Sequence, residues 1–167
     1  MTILEIYAMS EAGNKKMLII GIGNSGRSDD GLGWLLVDAI RKKSLNIDLV
    51  YRYQLQIEDA ELISDYHTVI FADATKKSTE EGFFFELCQP NQGIGLSSHI
   101  LEPETVLWLE NDLFKKSPVA FVLGIEGEKW ELSLEPSQSG LSNLKRAIDF
   151  ILKNVPLLIK SKYPQMV

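Results

Sequence analysis

Soft ligands and imidazoles are nearly missing from this 167-residue chain, which has one cysteine, Cys88, and two histidines, His67 and His99. A lone thiol closes no internal disulfide and builds no multi-cysteine zinc or cluster site. Such sparing use of cysteine points to a reducing, cytoplasmic setting. Basic charge is short as well: 17 Lys and Arg against 23 Asp and Glu leave a net charge of −6. That balance disfavours a polyanionic partner, so no nucleic acid is expected. No stretch approaches the roughly 20 apolar residues of a membrane span, so no membrane partner is expected either. Residues 1–16 have no basic n-region, and Glu5 and Glu11 interrupt their apolar positions, which excludes a signal-peptide reading. Any metal chemistry must therefore rest on carboxylates with at most two imidazoles. What remains is an ordinary globular composition, 45% hydrophobic and 24% charged, at the size of one domain.

The pattern of a folded domain starts at Met17. Met17–Gly21 is a short apolar run ending in glycine, which reads as a strand buried on both faces. After the turn Gly21–Ser28, Asp29 and Asp30 open a helix with Leu32, Leu36, Ala39 and Ile40 at helical spacing, and Arg41, Lys42 and Lys43 close it. Strands are predicted at Ile47–Tyr53, Thr68–Asp73, Phe83–Cys88 (near an edge) and Val119–Leu123, with a short helix at Glu58–Asp65. Pro103 starts another helix after the loop 89–98. Leu141, Leu144, Ile148, Ile151, Leu152 and Val155 mark the last one. Alternating helices and short apolar strands predict an α/β fold: a three-layer sandwich with a mostly parallel five-stranded sheet flanked by helices. The expected organisation is a flexible N-terminal extension over 1–16, a single domain over 17–160 and a C-terminal tail over 161–167. A monomer is expected.

In such sheets ligands bind beyond the carboxyl ends of the strands. Gly21, Gly23 and Gly26 spell a dinucleotide-binding fingerprint there. Asp29 and Asp30 at the following helix start would repel a pyrophosphate, and the ribose-binding acid is missing after Val50-Tyr-Arg-Tyr53. No organic cofactor is therefore expected. Asp29 is assigned as the helix N-cap and Asp30 as the acid facing the crevice. Asp73 ends the third strand, and a charge directly after Val-Ile-Phe-Ala needs a partner. His99 follows the loop and precedes the Pro103 helix. His67, at the start of the third strand, is placed roughly 20 Å from Asp73 at the wrong end of the sheet, as a solvated loop residue. Two carboxylates and one imidazole leave open positions on a divalent metal and suit zinc, nickel or iron(II). No G-x-S-x-G elbow or HExxH motif is present, and Cys88 sits in a strand.

Several motifs occur together: Gly21-Ile-Gly-Asn24, Asp29-Asp30-Gly-Leu-Gly33, Phe71-Ala-Asp73, Ser98-His99 leading into Pro103-Glu-Thr-Val-Leu107, Gly124-Ile-Glu-Gly127 and Gly140-Leu-Ser142. In order and spacing they resemble the hydrogenase maturation endopeptidases, over residues 17 to about 155. The resemblance implies an aspartyl-type endopeptidase that removes the C-terminal extension of a nickel–iron hydrogenase large-subunit precursor. It also implies that Asp30, Asp73 and His99 contact the metal and carry catalysis. The metal is nickel supplied by the substrate, acting as a recognition element. Asp30 and Asp73 are both candidates for general base. The chain departs from the common pattern at Tyr53–Glu58, a segment that resembles the variant in proteases serving cytoplasmic, multi-subunit hydrogenases. Two other readings stand beside this one: a metal-dependent hydrolase of another substrate, and a non-catalytic binding module for a nickel site.

Overall fold

The computed structural model describes residues 16–93 and 100–160, with side chains of the last helix described as far as Val155. The expected extension (but for Lys16), the C-terminal tail and His99 lie outside the described residues. Five strands form one sheet: β1 (Met17–Ile22), β2 (Asp48–Arg52), β3 (Thr68–Thr75), β4 (Phe83–Leu87) and β5 (Val119–Glu126). Their order is β2-β1-β3-β5-β4, parallel throughout except for β4, which runs antiparallel to β5 at the edge. Four helices flank it: α1 (Leu32–Arg41), α2 (Asp59–Ser64), α3 (Pro103–Leu113) and α4 (Gln138–Lys160). No helix among the described residues is long and apolar enough to cross a membrane.

The period of two along each strand sorts the core into two layers. Ile19, Ile70, Phe121 and Leu123 point to one face, where Leu32, Leu36 and Ile40 of α1 meet Leu144, Ala147 and Ile151 of α4. Leu18, Ile20, Val69 and Phe71 point to the other, under Ala60 and Ile63 of α2 and Val106 and Leu107 of α3. Every residue of β1 is buried, as a central strand covered on both faces requires. The three-layer sandwich expected from the sequence is thus the observed fold.

Three local details differ from expectation. β3 and β5 stay paired as far as Thr75 and Glu126, so Asp73 sits two residues before the end of its strand. His67 is half-buried rather than a solvated loop residue: its amide donates to the Lys16 carbonyl and its carbonyl accepts from Val119. It does lie at the amino end of β3, away from Asp73. The helix expected to open at Asp29 and Asp30 begins instead as a 3-10 turn over Ser28–Gly31 that leads into α1.

Candidate functional site

The turn after β1 folds onto itself. The Asn24 amide donates to the Asp30 carbonyl and the Arg27 amide to that of Asn24, while the Gly26 amide meets Asn24 Oδ1 at 2.8 Å. Gly23 donates to Arg52, Ser28 to Ser133, Asp29 to Lys129 and Asp30 to Arg27. Amides that would cradle a pyrophosphate are therefore already consumed, and the glycine spacing serves packing. Gly23 has φ +135°, and a Cβ there would overlap the Asp30 carbonyl oxygen. At Gly33 a Cβ would strike the carbonyls of Ile22 and Ala72, so α1 lies directly on the ends of β1 and β3.

Asp29 corrects the sequence assignment. It makes no side-chain cap of its own helix; it is fully buried and serves a distant part of the chain. Its Oδ2 accepts from the amides of Glu128 (2.6 Å) and Lys129 (2.9 Å) and from the Ser137 hydroxyl (2.6 Å), and its Oδ1 accepts from the Ser137 amide (2.7 Å). Ser137 in turn caps α4 through the Gly140 amide. Gly127 and Gly140 complete the cradle, since a Cβ at Gly140 would come within 2.6–2.9 Å of the carboxylate and one at Gly127 within 2.7 Å of Asp29 Cβ. Burial pushes the Asp29 carboxyl up, but these hydrogen bonds outweigh it and hold it below the ordinary value. Four donors fixed around one charged acceptor satisfy a buried carboxylate better than a single cap at a helix end would.

Asp30 and Asp73 do converge. β1 and β3 are neighbours, with Gly21 opposite Ala72, so Asp73 stands level with the last residue of β1. Gly23 is where the turn meets both residues: its Cβ position would overlap the Asp30 backbone carbonyl and stand 3.9 Å from Asp73 Oδ1. Asp73 Oδ1 accepts from the Ala74 amide at 2.7 Å. Burial drives the Asp73 carboxyl up to about 7, against that amide bond, and the charges of Asp30 and Glu102 push the same way. Glu102 is a residue that sequence reasoning missed. It precedes Pro103 at the start of α3 with an extended backbone and no capping bond, and its charge reaches Asp73. Its only signal was its place three residues beyond His99.

The segment after β2 is tied down at both ends. Arg52 Nε pairs with Asp59 Oδ1 at 2.9 Å, and Asp59 Oδ2 accepts from the Gln56 amide. The Arg52 carbonyl accepts from both Gly23 and the Trp34 indole. Between these anchors Leu55 bridges to Leu101, so the departing segment Tyr53–Glu58 braces the chain that enters α3. Cys88 is buried and its thiol is pushed up to about 12 by burial and by Glu104, which leaves it unreactive. A cavity of about 420 Å³ opens among Ile40, Arg41, Ile47 and Asp48, at the opposite end of α1 from the carboxylates, so cavity size does not locate the site. Among the described residues no group of three His, Cys, Asp or Glu side chains is arranged to hold a metal ion.

No protein-family model and no curated protein matches the chain. Solved structures do. A NiFe hydrogenase maturation protease HycI from Thermococcus kodakarensis shares 22% identity over 96% of this chain and 100% of its own, with a TM-score of 0.66. The hydrogenase 2 maturation peptidase of a Thaumarchaeota archaeon shares 22% over 86% and 99%, with a TM-score of 0.62. The hydrogenase maturating endopeptidase HybD of E. coli shares 17% over 85% and 93%, with a TM-score of 0.63. At this identity the likeness establishes the fold, and it is the fold of the family that the sequence motifs resemble.

Proposed function

We propose that this chain is a cytoplasmic processing endopeptidase of the hydrogenase-maturation family. Its substrate is a nickel-loaded large-subunit precursor, from which it removes the C-terminal extension. The observation that carries this reading is the charge of Asp30 acting on the half-buried Asp73 carboxyl, at the carboxyl end of the sheet of a fold shared with three proteins described as maturation peptidases.

Peptide hydrolysis needs a group that takes a proton from water and returns it to the leaving amine. Asp73, pushed to about 7, holds a proton about half of the time near neutrality and can do both. Burial keeps it poised there, and the neighbouring charges of Asp30 and Glu102 add to the push. Asp73 is therefore the general base in this scheme: it accepts the water proton as oxygen attacks the carbonyl carbon, then donates it to nitrogen as the C–N bond breaks. With Asp73 kept free as the base, Asp30 is a sparse donor set, which fits a chain that meets its metal on the substrate. His99 would complete the contacts to the substrate's nickel.

The test is incubation with nickel-loaded and nickel-free precursor, followed by mass measurement of the large subunit. Truncation of the loaded form alone is expected. Equal cleavage of both forms would refute nickel recognition, and binding without cleavage would favour a non-catalytic module. His99→Ala should abolish truncation, and a variant that processed precursor normally would remove His99 from the site.

A further inference from the structure

Of the two edges of the sheet, β4 is the unguarded one. β2 carries a charge at each end, Asp48 and Arg52, whereas β4 reads Phe83-Phe-Phe-Glu-Leu87 and is extended throughout. Its pairing with β5 shows which backbone groups are in use. The Cys88 amide donates to the Ala120 carbonyl at 2.8 Å and the Glu126 amide to the Gly82 carbonyl at 2.9 Å. Gly82, Phe84, Glu86 and Cys88 therefore belong to the bonded pairs of this antiparallel ladder. Phe83, Phe85 and Leu87 turn their amides and carbonyls outward, and no turn or loop bond among the described residues uses them. Their side chains pack against the α4 side of the core but stay half-buried. Phe85 stacks on Phe121 at 4.7 Å and meets Phe150 at 5.2 Å. An apolar edge with no proline or lysine on it is a template for another strand.

We propose that the occupant is a second copy of this chain, with its β4 laid antiparallel to the first across a two-fold axis at Phe85. In that register Phe83 stands opposite the partner's Leu87 and Phe85 opposite the partner's Phe85. All the outward amides and carbonyls are then bonded, at the Cα spacing of about 5.5 Å that bonded pairs take. The same register sets Phe84 opposite the partner's Glu86. Lys77 Nζ lies 5.1 Å over the Phe84 ring, so the partner's Glu86 arrives beside Lys77, and the axis repeats the contact. Both residues are exposed, and neither makes an ion pair among the described residues. Sliding the partner until Glu86 stood opposite the partner's Glu86 would replace that attraction with repulsion. The edge is thus self-complementary in shape and in charge, as a two-fold interface requires. Because the paired strands run antiparallel, the two crevices open at opposite ends of the joined sheet. A dimer of this kind needs nothing from the protease reading, and it stands in place of the monomer expected from the sequence.

Sedimentation of the whole protein over a range of concentrations, with amide exchange followed by NMR, is the test. An interface this small is expected to give a dissociation constant of about 10 μM. The Phe83, Phe85 and Leu87 amides should exchange fast in dilute protein and slow as concentration rises, while those of Phe84 and Glu86 stay protected throughout. Glu86→Lys and Lys77→Glu should each weaken the dimer about tenfold, because each sets like charges together twice across the axis. The double variant Lys77→Glu/Glu86→Lys should restore it to within about threefold. A protein still monomeric at about 200 μM overturns the proposal, as does association that leaves the three outward amides unprotected. Protection of those amides already present in dilute protein, or a charge swap that restores nothing, overturns it equally.

Discussion

The Asp73→Asn variant is expected to gain stability above neutral pH while losing the ability to process precursor. The carboxyl stands at about 7 rather than 3.8 because burial and the charges of Asp30 and Glu102 disfavour its ionised form. A displacement of about three units corresponds to at most about 4 kcal/mol, at roughly 1.4 kcal/mol per unit. The sign follows from proton binding. The folded carboxyl holds its proton more tightly than the unfolded one, so its contribution is most favourable below pH 3.8 and is lost as pH rises through about 7. Asparagine keeps the shape and never ionises. Solvent relaxation and a weaker bond to the Ala74 amide reduce the gain to about 2–3 kcal/mol at a pH near 8.5. In a chain of this length that is roughly 4–12 °C in melting temperature. Thermal melts of both proteins near pH 4 and near pH 8.5, together with the precursor assay, read the effect. Curves that coincide at the higher pH, or a difference that shrinks as pH rises, would refute the reasoning. An active Asp73→Asn protein would remove the residue from catalysis.

Asp29→Asn should do the reverse, because its amide nitrogen would face donors that the carboxylate now satisfies; a loss of about 3–5 kcal/mol is expected in denaturant titrations. That difference should narrow as pH falls below 3.8 and through the still lower folded value, since the depressed carboxyl loses its contribution on protonation. Gly140→Ala forces a methyl against the same carboxylate and should lower stability by about 1–3 kcal/mol in equilibrium unfolding. Arg52→Ala leaves the buried Asp59 without its ion partner. With Arg52 a third exposed the cost is about 1–3 kcal/mol, and faster amide exchange in residues 53–58 is the more specific readout.

The sheet was legible because β1 and β3 are continuous apolar runs that only a strand covered on both faces would carry. Asp30 and Asp73 were each legible as acids at the carboxyl end of the sheet, and the pairing of β1 with β3 is what brings them near each other. Asp29 was not legible. Locally it has every feature of an N-cap, and its real partners lie 99 to 108 residues further on, where no periodicity reaches. Glu102 escaped for a related reason: an acid before a helix-starting proline reads as an ordinary helix entry, and only the placement of α3 brings its charge to bear on Asp73. The far ends of β3 and β5 were underestimated because Ala74-Thr75 and Gly124–Glu126 look like a turn, yet they continue one ladder.

The adjacent acids Asp29 and Asp30 are held by the fold in different ways. Asp29 is fully buried and charged, which is tolerable only because three amides and a hydroxyl converge on it. Those donors come from the return segment and the start of α4, so the same bonds lock residues 127–137 against the turn that carries Asp30. Asp30 is thereby held beside Asp73, where no comparable set of donors exists and only the Ala74 amide opposes the upward push. One carboxyl of the site is driven down by bonding and another up by burial and like charge. Such separation is how carboxylates acquire different tasks at one pH. It follows that loosening the Asp29 cradle should harm processing even where the protein stays folded. The loss would come through the placement of Asp30 and the poise of Asp73, and the conservative Asp29→Glu variant tests this. An extra methylene in a cradle closed by Gly127 and Gly140 should displace the turn. The pH profile of processing should then shift downward as Asp30 moves from Asp73. A folded Asp29→Glu protein with an unshifted profile would sever the link between the two sites.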